Sequence, residues 1–399
     1  TLELAEVANV ENYVGNEGEN EASGTSGDNL LRGRSDGDAL EGLGGDDTLV
    51  GGAGSDTLKG GSGDDTLVVD TNDTVRGGSG TDTAVAGENA HFDDWIETKP
   101  SDHSDDGYGY DLIGVENFKG NAQAEQISGN NEGAAVDNIF QGGGGADEIL
   151  GHLGDDTLVG GKGDDTLRGK EGSDILDGGA GDDALHGGAG DDTLVADRGD
   201  LVDDKGTWQT GDDEWDYANI SGGSGTDTLK LASDVERIYY LEADKLSGVE
   251  NVVGNEHGNR IDGGGYYDDS PEQMTFSGKA GDDDFLGGGA GDVFAGGEGG
   301  DLAQGMGGAD TLLGGAGSDT LEGWGGDDVL DGGAGSDTLD GYSGNDTIFV
   351  DSADNPANVS GGRGDDTIVL TDEGMDPSNW TGSAETVITD IPHHQVVAS

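Results

Sequence analysis

Aspartate returns at a fixed interval in this sequence, and it returns in the same company. Asp38, Asp47, Asp56 and Asp65 stand nine residues apart, as do Asp147, Asp156, Asp165, Asp174, Asp183 and Asp192. A third series runs through Asp283, Asp292, Asp301, Asp310, Asp319, Asp328, Asp337 and Asp346, and Asp82, Asp227 and Asp366 sit in isolated copies. Each closes a segment built on Gly-Gly-x-Gly-x-Asp, with other residues at position 2 or 4 in some copies, and all but Asp82 and Asp301 are followed two places on by a large apolar residue. Glycine at positions 1, 2 and 4 lets the chain turn sharply through positive φ, which points backbone carbonyls at a common centre. The aspartate at position 6 adds a carboxylate to them. A cluster of hard oxygen donors at flexible distances suits Ca²⁺, whereas Mg²⁺ demands stricter octahedral geometry. The chain has no Cys and only 7 His, which argues against zinc or copper.

The elements that must hold these loops follow from the same nonapeptide, G-G-x-G-x-D-x-U-x. Repeats start at Gly24, Gly33, Gly42, Gly51 and Gly60, and again from Gly133 to Gly187 at every ninth residue. A third block runs from Gly278 to Gly341, and single copies start at Gly77, Gly222 and Gly361. Positions 7 to 9 read as a short strand whose position-8 side chain faces inward. That position holds Leu40, Leu49, Leu58 and Leu67, then Ile149, Leu158, Leu167, Leu176, Leu185 and Leu194. In the third block it holds Phe285, Phe294, Ala303, Leu312, Leu321, Leu330, Leu339 and Ile348. One apolar residue in nine makes a thin core. It does not offset backbone ordering at about 1–2 kcal/mol per residue, so cation binding and folding are expected to be one linked event.

A longer period underlies the short one. Val10-Glu11-Asn12-Tyr13-Val14-Gly15-Asn16 recurs at Val115–Asn121 and Val249–Asn255, with a degenerate copy at Ala384–Ile388. It divides the chain into three expected modules, 1–113, 114–247 and 248–399. Segments 86–113, 196–220, 263–277 and 369–399 carry no repeat and hold Trp95, Trp208, Trp215 and Trp380. They are expected to cap the ends of the repeat arrays, with a carbohydrate- or partner-binding surface as the sharper reading. Frequent glycine opposes any long helix.

Acidic residues number 86 against 17 basic ones, a formal charge of −69. Such a chain has no basic face for nucleic acid or for an anionic membrane surface. No apolar stretch approaches the ~18 residues of a membrane span. Composition alone would suit disorder, but a register sustained over blocks of repeats does not.

The nonapeptides resemble the calcium-binding RTX (repeats-in-toxin, haemolysin-type) repeats of type I-secreted bacterial proteins. The resemblance implies an all-β, right-handed parallel β-roll with two nonapeptides per turn and calcium between successive turns. Ligand pairs then lie eighteen residues apart, as Asp147 with Asp165 and Asp156 with Asp174. The three blocks suggest roughly 14 ions, which would leave a charge of about −41. Some repeats depart from the pattern. Position 6 is Asn29 in one and Asn138 in another, where Val136 also replaces a glycine, and Asp36 at position 4 disfavours the usual loop shape.

Other signals are weaker. Gly33-Arg34-Ser35-Asp36-Gly37 matches the G-x-S-x-G elbow of serine hydrolases, but it lies inside a repeat and lacks the required strand–turn–helix setting. No H-E-x-x-H occurs, and His393-His394 reads as a solvated tail. Arg198-Gly199-Asp200 and Arg363-Gly364-Asp365 spell an adhesion tripeptide, yet the second belongs to a repeat loop. The sequence therefore points to a secreted or cell-surface, non-catalytic, calcium-binding structural protein. A rigid rod serving a matrix, surface layer, adhesin stalk or filament is the expected form, with self-association or a surface polysaccharide as further partners. The alternative is an accessory or secretion region of a larger secreted enzyme or toxin, which the start at Thr1 without Met or leader keeps open.

Overall fold

The computed structural model describes residues 5–8, 11–88, 90–92, 95–99, 110–129, 135–201, 220–235, 241–242, 246–263, 273–380 and 386–389. Trp208, Trp215, Ala384, Glu385 and the His393-His394 pair fall outside them. The chain divides into two compact units, Thr1–Val195 with Asn219–Gly225, and Ala196–Ala218 with Thr226–Ser399. The expected boundary at 113/114 lies inside the first unit.

Each unit is a parallel β-solenoid, and the described residues contain no α-helix. In the first unit, alternate strands build a 12-stranded sheet, from Ala5–Ala8 to Ile220–Ser224. The intervening strands build a second parallel ladder, from Asn12–Val14 to Thr193–Ala196. The second unit repeats the scheme, with a 7-stranded sheet from Leu241–Glu242 to Val359–Ser360. Its facing ladder runs from Thr228–Leu231 to Thr386–Thr389.

Within the arrays the register is eighteen residues, as the resemblance implies: Leu158 pairs with Leu176, Leu167 with Leu185 and Leu321 with Leu339. Every position-8 side chain is buried, and Leu49, Leu158, Leu312 and Leu330 are 0% exposed. A fully buried residue of this size contributes about 1.5–3 kcal/mol, so the stack is a continuous but narrow core. Phe276, Phe285 and Phe294 thicken it locally, with ring centroids 5.6–6.1 Å apart. Small Ala303, also 0% exposed, follows Phe285 in the same sheet.

Two features depart from the sequence reading. The first is segment 86–113, which contributes strands Ile96–Lys99 and Tyr110–Ile113 to the sheet interior. They enter in reversed order: Tyr110–Ile113 pairs with Thr74–Ser79, and Ile96–Lys99 then bridges it to Gln126–Ser128. Ile96 is 0% exposed, Phe92 packs edge-on against Tyr110 and Phe118, and Lys99 pairs with Asp111 at 2.6 Å. This part of the segment is core, because its apolar side chains complete the same stack.

The second is the loop at Gly33, which keeps the common shape. Arg34 and Asp36 themselves take φ of 105° and 63°. The strand Leu30–Ser35 still pairs in register through Arg34 and Gly52. Neighbouring turns hold the backbone there at a cost of about 1–2 kcal/mol per non-glycine residue. Elsewhere glycine is required. At Gly326, φ is 139° and a Cβ would collide with the Gly308 carbonyl oxygen.

Candidate metal centre

The turns between strands stack as regularly as the strands do. Loop N–H groups donate to carbonyls one turn away, as Leu43 to Gly60 at 3.0 Å and Gly143 to Gly160 at 2.8 Å. Stacking brings the position-6 aspartates into rows, one carboxylate per turn. All 21 predicted aspartates are buried, none more than 2% exposed.

A single hydrogen-bonding rule links them. The backbone N–H of one aspartate donates to Oδ1 of the aspartate in the next turn. Asp147 donates to Asp165, Asp156 to Asp174, Asp301 to Asp319 and Asp310 to Asp328, at 2.7–2.9 Å. The other oxygen, Oδ2, faces the position-1 glycine of its own loop, so that a Cβ at Gly33 or Gly142 would collide with it. Oδ2 is buried without a hydrogen-bond partner in Asp38, Asp47, Asp56, Asp65, Asp82, Asp147, Asp156, Asp165, Asp174 and Asp283. The same holds for Asp301, Asp310, Asp319, Asp328, Asp337 and Asp346.

Leaving a buried polar atom unsatisfied costs about 1–3 kcal/mol, and more when the group is charged. Here the pattern repeats turn after turn. Burial, the largest cause, pushes the carboxyls of Asp165, Asp283 and Asp310 up, while the N–H from the preceding turn pulls them down. Asp47 is raised to about 6, Asp165 and Asp283 to about 7, and Asp310 to about 8. Neighbouring carboxylates in the row add to the rise, as Asp328 and Asp292 do at Asp310.

These orphaned oxygens fit a hard divalent cation. Among the described residues no three His, Cys, Asp or Glu side chains gather into a metal group. A cation held here would draw on the unpartnered carboxylate oxygens of the stacked loops and would need loop carbonyls or water for its remaining ligands. Oxygen-only donors of this kind are a calcium set. A bound calcium would supply positive charge where the fold concentrates negative charge, and would join each turn to the next.

The ends of the rows use residues that the repeat pattern does not reveal. At the starts of rows stand Asn20, Asn29, Glu125, Asn138, Asn259 and Met274, each giving its N–H to the first aspartate at 2.6–2.8 Å. Asn20 also donates Nδ2–H to Asp38 Oδ1 at 2.7 Å. Next to Met274, Asp292 Oδ2 accepts the Gly288 N–H at 2.8 Å. Two rows finish on an aspartate whose Oδ2 accepts an N–H three residues back: Asp73 from Asp70 and Asp354 from Asp351. Asp200, the aspartate of the first adhesion tripeptide, makes the same turn with Asp197 and is 5% exposed, which withdraws it from any receptor.

The long period acquires its meaning here. Glu116 and Glu250 of the Val-Glu-Asn motif accept the N–H of Asp82 and of Asp227, both at 2.8 Å, in place of a further aspartate. Four residues beyond the motif's first Asn, Asn121 and Asn255 clamp the preceding excursion. Asn121 donates to the carbonyls of Gly87 and Ala90, and Asn255 to those of Ala232 and Val235. The motif thus opens a variant repeat with Asn at position 2 and Asn or Glu at position 6. Its signal was the run Gly-Asn-x-x-x-(Asn/Glu)-x-(Ala/Ile) at Gly15, Gly120 and Gly254.

Ser35 belongs to a strand, and its hydroxyl donates to Glu17 at 2.9 Å, with another strand rather than a helix after it. It is not a nucleophile elbow.

Stacked loops that turn on glycine, bury an aspartate each and leave one of its oxygens to a cation define a calcium-binding parallel β-roll. The chain matches the family model of the RTX calcium-binding nonapeptide repeat over residues 14–49, 41–71, 68–90, 132–167, 168–200, 295–330, 304–339 and 325–355. These segments cover just over half of the chain, which therefore belongs to this haemolysin-type family. RTX repeats are typical of secreted proteins. No curated protein matches it. No helix among the described residues is long and apolar enough to cross a membrane.

Proposed function

We propose that this chain is an extracellular, non-catalytic structural protein whose β-rolls assemble only when calcium binds. One observation carries the reading: the rows of buried aspartates with an unpartnered Oδ2. Without cations the folded state must bury those carboxylates uncompensated, or protonate them. With cations the same groups hold successive turns together, so binding free energy becomes folding free energy. Extracellular modules of this kind bind calcium at about 10⁻⁴–10⁻³ M, so the chain stays unfolded at cytosolic calcium and folds after export. Export by a type I route and a role in a matrix, surface layer, stalk or filament extend the same reading.

Far-ultraviolet circular dichroism of the full chain, in millimolar calcium and in excess chelator, tests the coupling. A strong β signal that collapses on chelation and returns with calcium is expected. An equally folded chelated protein would overturn the reading.

A further inference from the structure

Five of the row heads are neutral: Asn20, Asn29, Asn138, Asn259 and Met274. The head above Asp147 is Glu125, which lies outside the segments matched by the family model. It is 1% exposed, and neither Oε1 nor Oε2 has a hydrogen-bond partner. Its N–H donates to Asp147 Oδ1 at 2.7 Å, as at every other head. A Cβ built at Gly120 would meet Oε2 at 2.9 Å, on the side where each Oδ2 faces its own position-1 glycine, so the acid reaches toward the repeat's ligand position.

What differs is the absence of a substitute for positive charge. At the Asn20 head the side-chain amide donates to Asp38 Oδ1, whereas a carboxylate has no such donor. The Asn121 N–H and the Asp147 carboxyl are the groups nearest the Glu125 carboxyl, and without a cation the two acids can only share a proton. Arg168 is engaged by Glu148 at 3.0 Å. Asp147 adds a third buried, unpartnered oxygen. Glu125, Asp147, Glu148, Asp164 and Arg168 line a cavity of about 490 Å³, room enough for a partly hydrated cation.

We propose that Glu125 and Asp147 form a calcium site at the head of their row, reached from this cavity and completed by loop carbonyls and water. It adds one ion that the nonapeptide pattern does not predict, and it rests on the calcium reading of the rows below it.

Native mass spectrometry of the full chain across a calcium titration resolves single bound ions and so tests the site. Glu125→Gln and Glu125→Asn are each expected to saturate at one calcium fewer than the wild type. Circular dichroism at saturating calcium should be unchanged. Asn already stands at four other heads, so Glu125→Asn supplies the count even if Glu125→Gln folds poorly. Equal saturation in folded Glu125→Asn and wild type sinks the site and leaves the rows untouched. A wild type that binds no calcium sinks the general reading instead. Magnesium in place of calcium is expected to give no ion sensitive to Glu125, and magnesium binding lost with Glu125 would overturn the assignment to calcium.

Discussion

The array at 278–349 and the stretch at 73–147 are built from the same turn, yet they treat their carboxylates differently. In the array, each aspartate from Asp283 to Asp346 repeats every eighteen residues along its own edge, gives its N–H forward and, except at Asp292, keeps Oδ2 unpartnered. In the interrupted stretch, Asp73 satisfies both oxygens with backbone N–H groups, Glu116 closes a row, and Asn138 and Glu125 open new ones. The demand for cations thus runs through row interiors; ends such as Asp73 are satisfied by the chain's own donors, whereas Glu125 and Asn138 keep buried oxygens without a partner. A repeat protein must treat its terminal repeats differently, and here that treatment is electrostatic.

Acidity should blur this contrast most strongly, because it acts on every row together. The metal-free folded state holds Asp165 and Asp283 at about 7 and Asp310 at about 8, whereas an unfolded aspartate titrates near ~3.9. Raised folded values mean that the folded state binds protons more tightly. That stabilisation is complete below the unfolded value and is lost as pH rises through about 6 to 8. Chelated protein is therefore expected to gain β signal as pH falls from 8 to 5. Apparent calcium affinity should move the opposite way, weakening over the same range as protons compete for the carboxylates. Titrations at pH 5, 6, 7 and 8 check both trends, and an affinity independent of pH would contradict the carboxylate assignment.

Matched substitutions sharpen the difference between interior and end. Asp319→Asn, inside a row, is expected to cost about 3–5 kcal/mol in calcium, the range for breaking a buried charge partnership. Asp354→Asn, at a tail whose oxygens already accept two N–H groups, should cost about 1 kcal/mol. Denaturant unfolding at saturating calcium measures both, and equal losses would erase the distinction.

The apolar stack is common to both regions and should respond as an ordinary core. Leu321→Ala, at a residue 0% exposed, is expected to cost about 2–5 kcal/mol. The smallest effect concerns backbone strain: Leu43 is 45% exposed with φ of 80°. Leu43→Gly should stabilise by about 0.5–1 kcal/mol, relief of a left-handed residue less the extra entropy of glycine. Thermal unfolding in calcium would show the gain, and a loss would place a stabilising contact at that exposed side chain.

The regular part of the site was legible because period and chemistry coincide. Asp156 and Leu158 announce themselves by recurring every nine residues in a glycine-rich frame. Asp73 and Asp354 were not legible, since each replaces the repeat's aspartate at a different spacing, and Glu125 was hidden in a variant repeat that lacks the usual aspartate. Asn121 and Asn255 could be read as a motif, but their task of clamping an excursion required the excursion to be folded. Ile96 and Phe92 looked like covering material, and they became core because the chain returns through them out of order.

By itself the sequence determined the turn: glycines that allow its bend, a carboxylate for its cation and one apolar residue for its core, while the eighteen-residue register came from the family resemblance those turns carry. Those are local properties, repeated often enough to be unambiguous. Only the tertiary structure decided which carboxylates lack a partner and which residues begin and end each row. Burial and hydrogen-bond satisfaction depend on the neighbouring turn, which no single repeat encodes.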